Sequence, residues 1–124
     1  MADISTPPLR TVLRIQFSKD QRLGRGKVEL LEHIKATGSI SAAGRAMDMS
    51  YRRAWLLVEE MNTMFDQAVV ASQRGGSRGG GADVTPFGEA VVARFRTMEE
   101  KTAAAIRVDL DWLEEHRSAD ITEA

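Results

Sequence analysis

SISAAGRAMDMSYRRAWLLVEEMNTMF, residues 39–65, is the stretch whose reading decides the fold. Ser39 is a natural N-cap for a short helix over 40–47, and Ala42, Ala43 and Ala46 let that helix pack closely on a neighbour. Asp48-Met49-Ser50 breaks it, and Ser50 caps a longer helix that runs to about Phe65. At 100° per residue, Ala54, Val58, Met61 and Phe65 share one apolar stripe with Leu57 at its edge, while Arg52, Leu56, Glu59 and Thr63 lie opposite. Arg53 and Trp55 fall on the flanks. The longer helix is therefore expected to be buried on one side and to offer a basic, partly aromatic N-terminal end on the other.

Working outward, residues 27–37 read as a helix preceding the pair, with Val28, Leu31, Ile34 and Lys35 at helical spacing and Gly38 as its C-cap. Residues 9–17 alternate as a half-buried strand with Leu13, Ile15 and Phe17 on one face, and residues 19–26 read as a loop. On the other side, 69–73 and 82–85 are two short strands around the glycine-rich, doubly basic segment RGGSRGGG, a β-hairpin with a long tip. Thr85 caps a last helix with Pro86 at its first position. That helix is expected to run unbroken to about His116. Its Phe95, Met98, Thr102, Ile106, Leu110 and Leu113 recur at three- and four-residue steps, which suits pairing with a second copy. The expected organisation is a flexible arm (1–8), a main domain (9–88), a dimerisation helix (86–117) and a frayed tail (118–124). The fold class is mainly α with a small β-hairpin.

Composition narrows the function. The 124 residues contain no cysteine, so disulfide and thiol chemistry are excluded and a structural zinc site is disfavoured. There is no apolar run long enough to span a bilayer and no basic-then-apolar leader at the N-terminus, so no membrane partner and a cytoplasmic location are expected. The net charge of −1 hides a split: twelve Lys/Arg against nine Asp/Glu through Gly88, then five against nine. The first part is the candidate polyanion surface.

A short helix, a tight turn with a longer helix, and a basic hairpin, in that order, make a winged helix–turn–helix. A major groove about 12 Å wide admits one helix, and the helix before it braces it near the backbone. The candidate DNA-binding residues are Ser39, Ser41, Ser50, Tyr51, Arg52, Arg53 and Trp55, with Arg74 and Arg78 on the wing. Free N–H groups at either helix start can bind phosphate, and Arg52 and Arg53 can pair bidentately with guanine edges or phosphate.

The segments TGSISAAGRAMDMSYRRAWLLVEEMN and GGSRGGGADVTPFGEAVVARF also resemble the N-terminal DNA-binding domain of the ModE family of molybdate-dependent transcription regulators, itself related to LysR-type winged-helix domains. The likeness spans roughly residues 13–99. It implies a homodimer on a palindromic operator in double-stranded DNA, a repressor leaning, and a recognition segment at Ser50, Tyr51, Arg52, Arg53 and Trp55. Nothing in these 124 residues after the last helix matches the family's C-terminal molybdate-binding domains, and none is expected within them. No cofactor is therefore assigned to these residues; molybdate would act through a missing domain or a separate molybdate-binding partner.

Enzymatic readings are weak. Gly75-Gly76-Ser77-Arg78-Gly79 matches the hydrolase nucleophile pattern but lacks its strand–turn–helix setting, and the single Gly24-x-Gly26 lacks the context of a dinucleotide fold. His33 and His116 are far apart in sequence, and the paired glutamates read as solvated helix faces. The rival binding readings are a winged-helix protein–protein module without direct DNA contact, and an RGG-like RNA contact through 74–81.

Overall fold

The computed structural model describes residues 7–73 and 81–118. In order, the elements are β1 (Arg14–Gln16), β2 (Arg22–Gly24), α1 (Arg25–Thr37), α2 (Ile40–Ala46), α3 (Tyr51–Met64), β3 (Val70–Gln73), β4 (Gly81–Val84), α4 (Pro86–Ala105) and α5 (Arg107–Glu115). The described residues are thus mostly helical, with two separate two-stranded antiparallel sheets, β1–β2 and β3–β4.

The core forms around α1, whose Val28, Leu30, Leu31 and Ile34 are all fully buried. Around them close Ala43 of α2, the Ala54–Val58–Met61 stripe of α3, Val69 just ahead of β3, Val70 of β3, Ala82 of β4, and Val91 and Phe95 of α4. Small side chains sit where helices approach most closely: a Cβ added at Gly44 would lie 3.0 Å from the Ala54 Cβ, so α2 meets α3 almost backbone to side chain. Three rings, Phe17, Phe65 and Phe87, join edge-on at 5.2 and 5.5 Å, tying the end of the first hairpin strand to the end of α3 and the start of α4.

Capping follows the residues that encode it. Gly38 adopts φ 72°, the left-handed conformation that favours glycine, and its N–H returns to the Ile34 carbonyl. The Ser39, Ser50 and Thr85 hydroxyls accept from the N–H groups of Ala42, Arg53 and Gly88, three residues on in each case. Asp48 at φ 57° makes the sharp turn between α2 and α3.

Three expectations are corrected. The strand expected over 9–17 is confined to Arg14–Gln16, because only there does a partner, β2, lie alongside; β2 itself falls in the segment read as a loop. Residues ahead of β1 run beside the C-terminal helices instead: the Leu9 N–H donates to Glu114 Oε1 at 3.1 Å, and Arg117 Nη1 donates to the Pro7 carbonyl at 2.7 Å. Second, α1 begins two residues early, at Arg25, with Gly24 as its N-cap. Third, the expected single C-terminal helix is two. Ile106 leaves helical dihedrals (φ −103°, ψ 10°), and α5 bends away there without any proline or glycine to announce it, held by its contacts with the segment ahead of β1.

Ion pairs strap α4 to α1. Arg96 donates to both Glu32 oxygens, at 2.7 and 3.1 Å, and to Glu99 at 2.7 Å. The Arg96 hydrogen bond holds the Glu32 carboxyl below the usual carboxylate range, against the opposing effect of burial. Such partly exposed pairs orient helices more than they stabilise them.

The tightest backbone approach is at Gly88, where an added Cβ would come 2.3 Å from the Val69 carbonyl oxygen and 2.8 Å from Val84 Cγ1. Gly88→Ala must push α4 off the hairpin. The expected loss is about 1–3 kcal/mol of stability, read as a lowered midpoint in thermal denaturation; an unchanged midpoint would show that α4 is not seated this closely.

Candidate nucleic-acid interface

Burying one stripe of α3 determines where its other side chains go. Arg52, Leu56, Glu59 and Thr63 face outward and are exposed. Tyr51 and Trp55, 56% and 40% exposed, leave one flank, and Arg53 leaves the other about half a turn away. Charge is polarised along the helix: Arg52 and Arg53 stand in its first turn, Glu59 and Glu60 a turn or more later. No acidic residue occupies the first turn of α2 or α3. Both N-terminal ends therefore keep their partial positive charge unopposed.

Ser39, Ser41, Tyr51 and Trp55 meet in one shallow groove of about 240 Å³ whose other wall is Ser72, Gly81 and Ala82 of the second hairpin. The hairpin is set there by a backbone bond from the Ala82 N–H to the Gly38 carbonyl at 3.0 Å. So four of the residues singled out in the sequence are brought together at one edge of α3. Arg52 lies on the adjoining outward face, and Arg53 turns into a different cleft, beside β1–β2. Ser39 and Ser50 use their hydroxyls as caps, and the Ser41 hydroxyl accepts from Arg45 Nη1 at 2.8 Å. Arg74 and Arg78 lie outside the described residues.

The residues expected to pair with a second copy divide. Phe95 is fully buried in the protomer's own core and takes no part in an outer seam: it is the inward edge of α4, packed beneath α1. Met98 and Leu113 are exposed, while Thr102, Ile106 and Leu110 are half-buried. Val108 and Trp112, 80% and 58% exposed, add to the apolar surface of α5; Val108 stands off the three- and four-residue spacing read from the sequence.

Asn62 carries a role that its residue type and helix position only hint at. Its Oδ1 accepts from the N–H groups of Val69 and Val70 at 2.8 and 3.2 Å, and its Nδ2 donates to the Val70 carbonyl at 3.1 Å. The side chain pairs with the β3 backbone much as a neighbouring strand would, and fixes the hairpin to α3. A polar residue at the border of a buried helical stripe was the available signal. Arg45, exposed in the last turn of α2, is a further cation near the site that the sequence reading passed over.

No family model matches the chain. Curated relatives do. It is 37% identical over 101 residues to the molybdenum-pterin-binding protein MopA of Rhodobacter capsulatus, covering 82% of this chain and 38% of the relative. It is 44% identical over 82 residues to MopB of the same organism, covering 66% and 30%. It is 36% identical over 69 residues to the DNA-binding transcriptional dual regulator ModE of Escherichia coli K12, covering 56% and 26%. The chain spans roughly a third of the length of these relatives. Geometry and relatives together define a small, mostly helical protein of the class whose named members are regulators and molybdenum-pterin-binding proteins; none of these three carries an enzyme's name. The chain belongs to the ModE family. No described helix is long and apolar enough to cross a membrane.

A molybdenum oxyanion held as a resident group would need an enclosed cradle of donors. Among the described residues no polar or charged residue is buried, and no three His, Cys, Asp or Glu side chains gather where they could hold a metal ion. The described residues form no such enclosed cradle.

Asn62→Ala removes three bonds to the hairpin backbone and leaves buried-edge peptide groups unpaired. It is expected to cost about 1–3 kcal/mol in urea denaturation. Asn62→Asp, which keeps the acceptor and loses the donor, should fall between Asn62→Ala and the parent; equal midpoints for all three would refute the strut.

Proposed function

We propose that the chain is a winged helix–turn–helix in which α2, the turn 47–50 and α3 form the DNA-reading unit and β3–β4 the wing. In this reading it acts as a homodimer on a palindromic operator in double-stranded DNA and regulates transcription in molybdate metabolism, as a repressor. The observation that carries it is the clustering of Ser39, Tyr51 and Trp55 with the base of the hairpin, beside an outward Arg52 and two helix N-termini free of acids. α3 supplies the side chains that reach base edges; α2 and the hairpin supply backbone contacts on either side. The family relationship supports the regulatory role, and a molybdate response would come from outside the described residues.

Fluorescence anisotropy on duplex DNA selected by the purified chain tests this. Arg52→Ala and Arg53→Ala should each weaken binding by about 1–3 kcal/mol. Unchanged affinity in both variants refutes direct readout by α3. Failure of any duplex to bind favours instead a protein-interaction module, for which the exposed Trp55 and Leu56 would be the contact.

The homodimer draws on the α4–α5 surface. Met98, Val108, Trp112 and Leu113 are exposed on helices at the edge of the molecule, and burying such side chains contributes about 1.5–3 kcal/mol each. Light scattering at micromolar concentration should give a dimer, and Trp112→Asp with Leu113→Asp should give a monomer. A monomeric parent protein refutes the arrangement.

A further inference from the structure

We propose that the β1–β2 hairpin is a second clasp for the phosphate backbone, set on the flank of α3 opposite the β3–β4 hairpin. The inference rests on the reading that α3 enters duplex DNA, and adds to it a contact surface from Arg14, Arg22 and Arg53.

The strand alternation of the hairpin puts the two arginines together. β1 and β2 pair with Arg14 opposite Gly24, Ile15 opposite Leu23 and Gln16 opposite Arg22. Ile15 and Leu23 turn to the core, so Arg14, Gln16 and Arg22 share the outer face. Arg14 and Arg22 line an open cleft of about 590 Å³, and Arg53 enters it from the first turn of α3. The first turn of α1 forms part of the same wall. Its N-cap is Gly24, which offers no side chain to the leading N–H groups, and no acid stands in that turn. At Gly26 nothing lies within 4 Å of where a Cβ would be, so a ligand can approach the backbone there.

The cations around this cleft are of two kinds. Lys27 is committed to the fold: its Nζ meets Glu60 Oε2 at 2.7 Å and the Arg22 carbonyl at 2.6 Å, which braces the hairpin against α3. Arg25 is likewise turned to Glu99, at 3.4 Å. Arg14, Arg22 and Arg53 form no ion pair among the described residues; the other carboxylate on the rim is Asp20. Three unneutralised guanidiniums around an open cleft, over uncapped helix N–H groups, suit a run of phosphates more than a single enclosed anion. Position selects the polymer. At 100° per residue, the outward Arg52–Leu56 face of α3 lies between the Arg53 flank and the Tyr51–Trp55 flank, so a duplex resting on it has one hairpin on each side.

The test is duplex binding by the whole chain, followed by anisotropy across a salt series, with the operator and with an unrelated duplex. Arg14→Ala combined with Arg22→Ala should weaken binding about tenfold or more on both duplexes and reduce the slope of log affinity against log salt by about two. Arg14→Lys with Arg22→Lys, which keeps the charges, should restore the slope, separating charge from any change in hairpin stability. If the parent binds and the alanine pair leaves affinity and slope unchanged, or if its loss is confined to the operator, the clasp is overturned and the α3 reading stands. If the parent binds no duplex at all, both fall together.

Discussion

α3 can bury only one of its faces, and the Ala54–Val58–Met61 stripe takes that place against α1. Everything exposed on the helix follows from this constraint. With those three residues inward, Arg52 must point away from the core, and Tyr51 and Arg53 must diverge to opposite flanks. The small Ala54 lets α2 come close, and Gly44 accepts it from the other side. The short turn between α2 and α3, made possible by Asp48 in a left-handed conformation, then sets both helix starts at the surface. The apolar packing that stabilises the domain is thus the same packing that aims its polar end.

The second hairpin is positioned by polar contacts as well as by the burial of Val70 and Ala82. Asn62 holds β3, the Gly38 carbonyl holds β4, and the Val69 carbonyl accepts from the Thr85 N–H at 2.9 Å. The first hairpin is positioned in a comparable way by Lys27, which ties Arg22 to Glu60. Each hairpin is therefore registered to α3 through a side chain that is itself on, or paired with, that helix. A shift of α3 would carry both hairpins with it, which keeps the spacing between α3 and its flanks constant.

The C-terminal part obeys a different logic. α4 contributes Val91 and Phe95 to the core and is strapped to α1 by Arg96, but beyond Thr102 its neighbours thin out, and α5 has no buried residue of its own. Its Trp112 stacks on His116 at 4.3 Å and stays largely exposed. The bend at Ile106 brings Glu114 and Arg117 to the segment ahead of β1, so the two ends of the described chain run together along this side.

By itself the sequence determined the elements with strong local codes: the serine and threonine caps, the left-handed Gly38, the buried stripe of α3, the proline at the head of α4 and the hairpin around the glycines. These depend on dihedral preference and side-chain periodicity, which neighbouring residues already specify. The candidate site was legible for the same reason, since Tyr51, Arg52, Arg53 and Trp55 are numbered from a cap and a stripe. What only the tertiary structure decided needs partners distant in the chain. Arg22–Gly24 becomes a strand because β1 lies beside it, Phe95 is withdrawn from the surface because α1 covers it, and α5 meets residues some hundred positions earlier in the chain. Arg14 and Arg22 gather beside Arg53 through pairing and packing across the molecule, and no local pattern of residues encodes that meeting.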